Sequence, residues 1–215
     1  MKENIKRIFT GCLTVPNLLS VIRIILIPIF GVLFYQGHVL ASVIVLFFSG
    51  LTDFLDGKIA RKFNQISELG KMLDPIADKL TQITIAVVLF LEFNKSTDPT
   101  MKWFKWVFLF FIAKELFMVI IGAIMIALGL RPSAAVMWGK VATAAFYLVM
   151  VLVIAFGPEV GALRNYFTLP DPLMIALVII SALLTLAALL SYVPNTVEQF
   201  KLKKQNEKQA QKEEK

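Results

Sequence analysis

The stretch that decides the fold reads Asp53-Phe54-Leu55-Asp56-Gly57-Lys58-Ile59-Ala60-Arg61, followed by Gly70, Asp74 and Asp78. Four carboxylates and an arginine stand here in a chain otherwise built for lipid. A charged side chain inside a bilayer is costly, so intramembrane acids are functional-site candidates by default. On a helix, residues three or four apart share a face. Asp53 and Asp56 therefore lie one turn apart, as do Asp74 and Asp78, and Gly57 and Ala60 fall on the stripe of the first pair. Two helices would present paired acids to one cavity, with small residues beside one pair. Four oxygen donors of this kind suit a hard divalent cation, Mg²⁺ or Mn²⁺. The rival reading, solvated acids in an ordinary loop, fits poorly with the apolar runs on both sides.

Those runs set the class. With 58% hydrophobic and 17% charged residues and a mean hydropathy of +0.75, the chain is too apolar for a soluble domain. Six runs of near-spanning length read as transmembrane helices. They extend from about Asn17 to Tyr35, Val39 to Ala60, Gly70 to Phe93, Trp103 to Leu128, Ala134 to Phe156 and Pro172 to Val193. The first acid pair closes the second run and the second pair opens the third. The expected fold is an all-α integral membrane protein with six transmembrane helices, one domain over residues 1–200. The first run is too long for a signal-peptide core and shows no cleavage site. Before it, Ile5, Ile8 and Phe9 among Lys2, Lys6 and Arg7 predict a short amphipathic helix on an anionic lipid surface. A solvated leader is the alternative. Residues 201–215 form a basic polar tail, a frayed helix or disordered.

Charge placement predicts orientation. Lysines and arginines before the first run, around Lys58–Lys71, at Arg131 and Lys140 and along the tail far outnumber Lys95, Lys102, Lys105 and Arg164 on the other side. The positive-inside rule then puts both termini and the acids in the cytoplasm of a multi-pass cell-membrane protein. The single Cys12 excludes an intrachain disulfide and a zinc ribbon. The only histidine, His38, lies at a turn remote from the acids, which argues against histidine-based catalysis and zinc hydrolysis. The net charge of +7 follows from topology, and no aromatic-basic pattern points to nucleic acid.

The acid stretch resembles, at every fixed position, the signature of the CDP-alcohol phosphatidyltransferase family: D-x-x-D-G-x-x-A-R-x8-G-x3-D-x3-D. The resemblance implies a metal-dependent enzyme, with Asp53, Asp56, Asp74 and Asp78 as metal ligands. It also implies that Asp78 acts as general base toward an acceptor alcohol, which attacks a CDP-linked lipid and releases CMP. Gly57 and Ala60 would leave room for cytidine and ribose, although small residues also serve close helix packing. Arg61 offers a fork of donors to phosphate or snorkels at the interface. Gly70 opens a helix whose N-terminus favours phosphate. Pro16-Asn17-Leu18-Leu19-Ser20-Val21-Ile22-Arg23 is similar to the family's usual opening, P-N-x-x-[ST]-x-x-R, and puts Asn17, Ser20 and Arg23 on one face. Asn17 is expected against the CDP-alcohol and Arg23 near the acceptor.

The acceptor is read from Lys114-Glu115 and Gly139-Lys140-Val141-Ala142-Thr143. Phosphatidylglycerophosphate synthases typically carry Arg-Glu and G-K-x-K-T at these places, so Lys114 and Ala142 depart from the pattern. Arg23, Lys114, Arg131 and Lys140 still leave a basic pocket for a phosphate-bearing acceptor. Lys114-Glu115 reads equally as a buried charge pair. Within the family, the chain is most similar to those synthases, which implies CDP-diacylglycerol and sn-glycerol 3-phosphate as substrates, a lipid bilayer as solvent and a homodimer. Cardiolipin synthase, using phosphatidylglycerol, is the second reading. A cation transporter would scatter its polar residues along several spans, and these gather at the ends of two.

Overall fold

The computed structural model describes residues 14–63, 67–130 and 137–213; at 53, 54, 56, 57, 60, 61, 68, 69, 71, 72, 204 and 206–213 it describes the backbone alone. The described residues form six helices: α1 (Val15–Tyr35), α2 (Val39–Lys62), α3 (Glu68–Asn94), α4 (Pro99–Ala127), α5 (Met137–Phe156) and α6 (Asp171–Glu213). The expected helix at residues 2–12, Cys12 and Arg131 lie outside the described residues.

Local chemistry sets the helix starts. A helix leaves its first amide donors without partners, and a side-chain oxygen just before it satisfies one or two. Thr14 caps α1 through the Asn17 amide, and Pro16 occupies the first turn, where a missing N–H costs nothing. Ser67 caps α3 through the Gly70 amide at 2.9 Å. Asp98 caps α4 through the amides of Thr100 at 2.6 Å and Met101 at 3.2 Å. Between α1 and α2 the chain reverses at Gly37, whose φ of +83° favours a residue without Cβ.

The buried stripe of α1 runs Asn17, Ser20, Arg23, Ile27, Phe30 and Phe34. Its spacing of three to four residues points one face inward over the helix's whole length. That stripe is polar at its start and aromatic at its end, and the bundle divides the same way. At the end opposite the acids, Phe93 stacks on Phe108 with ring centroids 5.4 Å apart, and Phe104 meets both edge-on. α1 packs against both α2 and α3, α3 against α4, α6 against α4 and α5, and α2 against α5.

This is an all-α integral membrane protein. α1, α4, α5 and the Asp171–Lys203 part of α6 are long and apolar enough to cross a bilayer. The apolar part of α2 is shorter, Val39–Thr52, because its other end carries the acid motif. Outward-facing apolar side chains such as Phe47 and Ile126, 67% and 66% exposed, present a surface suited to lipid. Through Glu213 the tail takes the helical one of its two expected forms. α6 continues without a break to Glu213, as the helix-favouring Lys, Gln and Glu of its sequence allow. Lys203 Nζ donates to the Leu128 carbonyl at 2.5 Å, tying the extension to the end of α4.

Candidate active site at the α1–α2–α3 junction

α3 begins against α1, and hydrogen bonds fix the register between them. The Ser67 hydroxyl that caps α3 also donates to Asn17 Oδ1 at 2.7 Å. One turn on, the Ser20 hydroxyl donates to Asp74 Oδ1 at 2.7 Å, with the Pro16 carbonyl farther off at 3.1 Å. A hydroxyl has one proton, and the nearer, charged acceptor takes the stronger bond. Asn17, Ser20 and Arg23 are 4%, 1% and 2% exposed, so their polar groups lie inside the bundle.

Gly70 has a packing reason that the sequence does not reveal. A methyl group in its place would sit 2.6 Å from Asn17 Oδ1 and 3.1 Å from Ser67 Oγ. Its amide is engaged by the Ser67 cap. Gly70 therefore allows the close approach of α1 and α3 that carries Ser20 to Asp74.

Asp74 and Asp78 stand one turn apart on α3, both partly buried. The Tyr147 hydroxyl of α5 reaches the Asp78 backbone carbonyl at 3.4 Å. Asp53, Asp56, Gly57, Ala60 and Arg61 lie in the helical backbone of α2, near its C-terminal end, with the two acids one turn apart. Their side chains are outside the described residues. α1, packed on both α2 and α3, is the element that brings the two acid-bearing helices into one assembly. Among the described residues no three of His, Cys, Asp and Glu gather to hold a metal. Asp74 and Asp78 are the described half of the expected set, and their carboxylate oxygens are the donors that a hard cation takes. Ser20 engages only one oxygen of Asp74 and leaves further lone pairs for a metal.

The next face of α3 carries a second cluster. Lys79 reaches across to α4 and donates to Glu115 Oε2, while Lys114 donates to Glu115 Oε1. Glu115 is 3% exposed, so its charge is met by two cations inside the bundle. The three line a cavity of about 60 Å³ together with Gln82, Ala142, Thr143 and Tyr192. Gly139 also borders it, and a side chain there would collide with the Tyr192 hydroxyl. Two lysines and one glutamate leave the cluster net positive.

This arrangement only partly matches the acceptor residues expected from sequence. Lys114 lines the cavity; Lys140 is exposed and does not. Gly139, Ala142, Thr143 and Phe146 form the inward stripe of α5, and Lys140 is turned about 100° from Gly139, off that stripe. Arg23 lies on the α1 stripe shared with Asn17 and Ser20. Lys79 was not foreseen. Its available signal was a lysine inside an apolar run with an acid, Glu115, in the middle of the facing one.

The family model described as CDP-alcohol phosphatidyltransferase matches residues 13–193, nearly the whole helical bundle. The chain belongs to the CDP-alcohol phosphatidyltransferase family. Enzymes of this family generally depend on a divalent metal. Relatives include the CDP-diacylglycerol--glycerol-3-phosphate 3-phosphatidyltransferase of Salmonella typhimurium, 36% identical over 183 residues, which are 83% of this chain and 92% of that one. The enzyme of the same name from Haemophilus influenzae is 32% identical, over 83% of this chain and 91% of its own. A Mycobacterium tuberculosis protein named as a cardiolipin synthase is 49% identical over 81 residues. That match spans 37% of this chain and 39% of the mycobacterial protein's length.

Proposed function

We propose that this protein is a phosphatidylglycerophosphate synthase, which transfers a phosphatidyl group from CDP-diacylglycerol to sn-glycerol 3-phosphate and releases CMP. The observation that carries the choice of acceptor is the Lys79–Glu115–Lys114 cluster on the face of α3 next to Asp74 and Asp78. A dianionic acceptor phosphate inside a low-dielectric bundle requires fixed cations, and two lysines line a cavity there.

In this reading Asp78 accepts the proton of the acceptor hydroxyl as that oxygen attacks the lipid-bearing phosphorus. The bond from that phosphorus to the oxygen it shares with CMP breaks, CMP departs with that oxygen, and phosphatidylglycerophosphate remains. A divalent cation, Mg²⁺ or Mn²⁺, held by Asp53, Asp56, Asp74 and Asp78 would neutralise the diphosphate and polarise its oxygens. Ser20 holds the Asp74 carboxylate in place across the α1–α3 interface. Asn17, Gly57, Ala60 and Arg61 surround the nucleotide, and Lys79 joins Lys114 in binding the acceptor phosphate. Like other phosphoryl transfers, the reaction draws mainly on positioning and electrostatics. The reading places the protein in the cell membrane with its acid end and both termini in the cytoplasm, on the evidence of the basic residues around that end.

The mycobacterial match favours one rival, a cardiolipin synthase that uses phosphatidylglycerol. Purified protein, given CDP-diacylglycerol and a divalent metal, separates the two. CMP release with glycerol 3-phosphate and none with phosphatidylglycerol is the expected result. Release with phosphatidylglycerol alone would overturn it.

A further inference from the structure

At the end of the bundle opposite the acids, α3 and α4 meet around an open cleft of about 780 Å³. This falls in the range of small-ligand clefts, about 300–1,000 Å³. Lys95, Lys102, Lys105, Trp103 and Trp106 line it. Lysines on this side run against the positive-inside trend that the rest of the chain follows.

No acid is among the described residues that line the cleft, though three stand close by. Glu92 pairs with Lys95 at 2.8 Å. Asp98 directs its carboxylate to the amides that open α4. Glu159 accepts from the Ser96 hydroxyl at 2.6 Å. Lys102 and Lys105 stand three residues apart on one face of α4 and both line the cleft. Lys105 donates to Asn94 Oδ1 at 2.6 Å, which holds its ammonium at the cleft wall. The same ammonium lies 5.3 Å from the centroid of the Trp106 ring. Trp103 and Trp106 are 75% and 50% exposed and also stand three apart. Tryptophans exposed near the end of a transmembrane helix sit at headgroup depth. The cleft thus combines cationic donors with aromatic walls at the level where lipid phosphates lie.

We propose that this cleft binds the phosphodiester headgroup of an anionic phospholipid in the leaflet opposite the active site. Lys102 and Lys105 meet the phosphate and Trp103 and Trp106 hold the glycerol and upper chain. The site stands on charge and geometry alone and does not depend on which acceptor the enzyme uses. Because anionic lipids also enter the active site as reactants, the probe is phosphatidylserine, which neither acceptor reading consumes.

The test uses the full chain carrying Trp138→Phe, so that only Trp103 and Trp106 report, reconstituted in phosphatidylcholine bilayers. Brominated phosphatidylserine quenches their fluorescence on contact, and brominated phosphatidylcholine serves as the comparison. The expected result is preferential quenching by phosphatidylserine, with the preference falling about fivefold for each lysine removed in K102Q and K102Q/K105Q. Unchanged helical circular dichroism and a single size-exclusion peak confirm that the variants fold. Equal quenching by the two lipids, or a preference that survives K102Q/K105Q, would overturn the proposal. Release of phosphatidylserine by millimolar inorganic phosphate would overturn the lipid assignment.

Discussion

Ser20 and Asp74, 54 positions apart in the chain, meet at 2.7 Å across the interface between α1 and α3. The bond joins a serine that is 1% exposed to a carboxylate proposed to hold metal, and so sets the direction of that ligand. Hydrogen bonds to charged groups contribute about 1.5–3 kcal/mol. Ser20→Ala is therefore expected to lower kcat/KM for CMP release by about 10- to 100-fold and to raise the metal concentration needed for half activity. Ser20→Thr, which keeps the hydroxyl, should recover much of the loss.

Gly70 and Asn17 form a steric pair. In Gly70→Ala the methyl group has to displace the Asn17 amide, and overpacking of this kind costs about 1–3 kcal/mol. Thermal unfolding in detergent should show the loss. Gly70→Ala combined with Asn17→Ala should be more stable than the sum of the two single changes predicts, since contacting residues are not additive.

Lys79 and Lys114 are expected to govern acceptor binding. Truncating one partner of a buried charged contact costs about 2–5 kcal/mol, so Lys79→Gln and Lys114→Gln should each raise the KM for glycerol 3-phosphate by tenfold or more. Lys140→Ala should leave that KM within about threefold, because Lys140 is exposed and off the cavity stripe. Steady-state kinetics at saturating CDP-diacylglycerol decide between the two lysine sets.

Glu115 balances two cations at once. Removing one partner of a buried ion pair is strongly destabilising, by about 3–5 kcal/mol, because charge is left uncompensated. Glu115→Gln is expected to lower the unfolding temperature markedly. Adding Lys79→Met should restore part of it by removing one of the two stranded charges.

The acids divide by role. Asp53→Asn and Asp56→Asn should abolish turnover and leave an inserted, folded protein, since an amide replaces an anionic metal ligand. Asp78→Asn should lose about 10²–10⁴-fold in rate, the usual effect of removing a general base, with a smaller loss in CDP-alcohol affinity. Isothermal titration with a CDP-alcohol beside CMP-release assays reads both quantities.

The spacing of the acid motif and the all-helical class were legible because both depend on patterns within one helix. Asp74 and Asp78 fall one turn apart whatever surrounds them, and each of the six apolar runs coincides with a helix among the described residues, four of them long and apolar enough to cross a bilayer. Contacts between helices were not legible. Lys79 meets Glu115 only because α3 and α4 pack in one register, and nothing in either run fixes that register. The same gap hid the direction of Lys140, since a lysine beside Gly139 reads as facing the same way until the rotation of α5 is known. Gly70 reads as an anion site from its place at a helix start, and its neighbour Asn17, on another helix, adds a steric role that one helix alone does not show.

The unbroken course of α6 has a mechanical consequence. Lys203 is moored to the Leu128 carbonyl, and ten further residues stay helical, a rod of about 15 Å beyond that mooring. A reporter fused after Glu213 is therefore carried on a stiff outrigger, held off the bundle at a set distance, where a slack tether would let it sweep across the membrane surface.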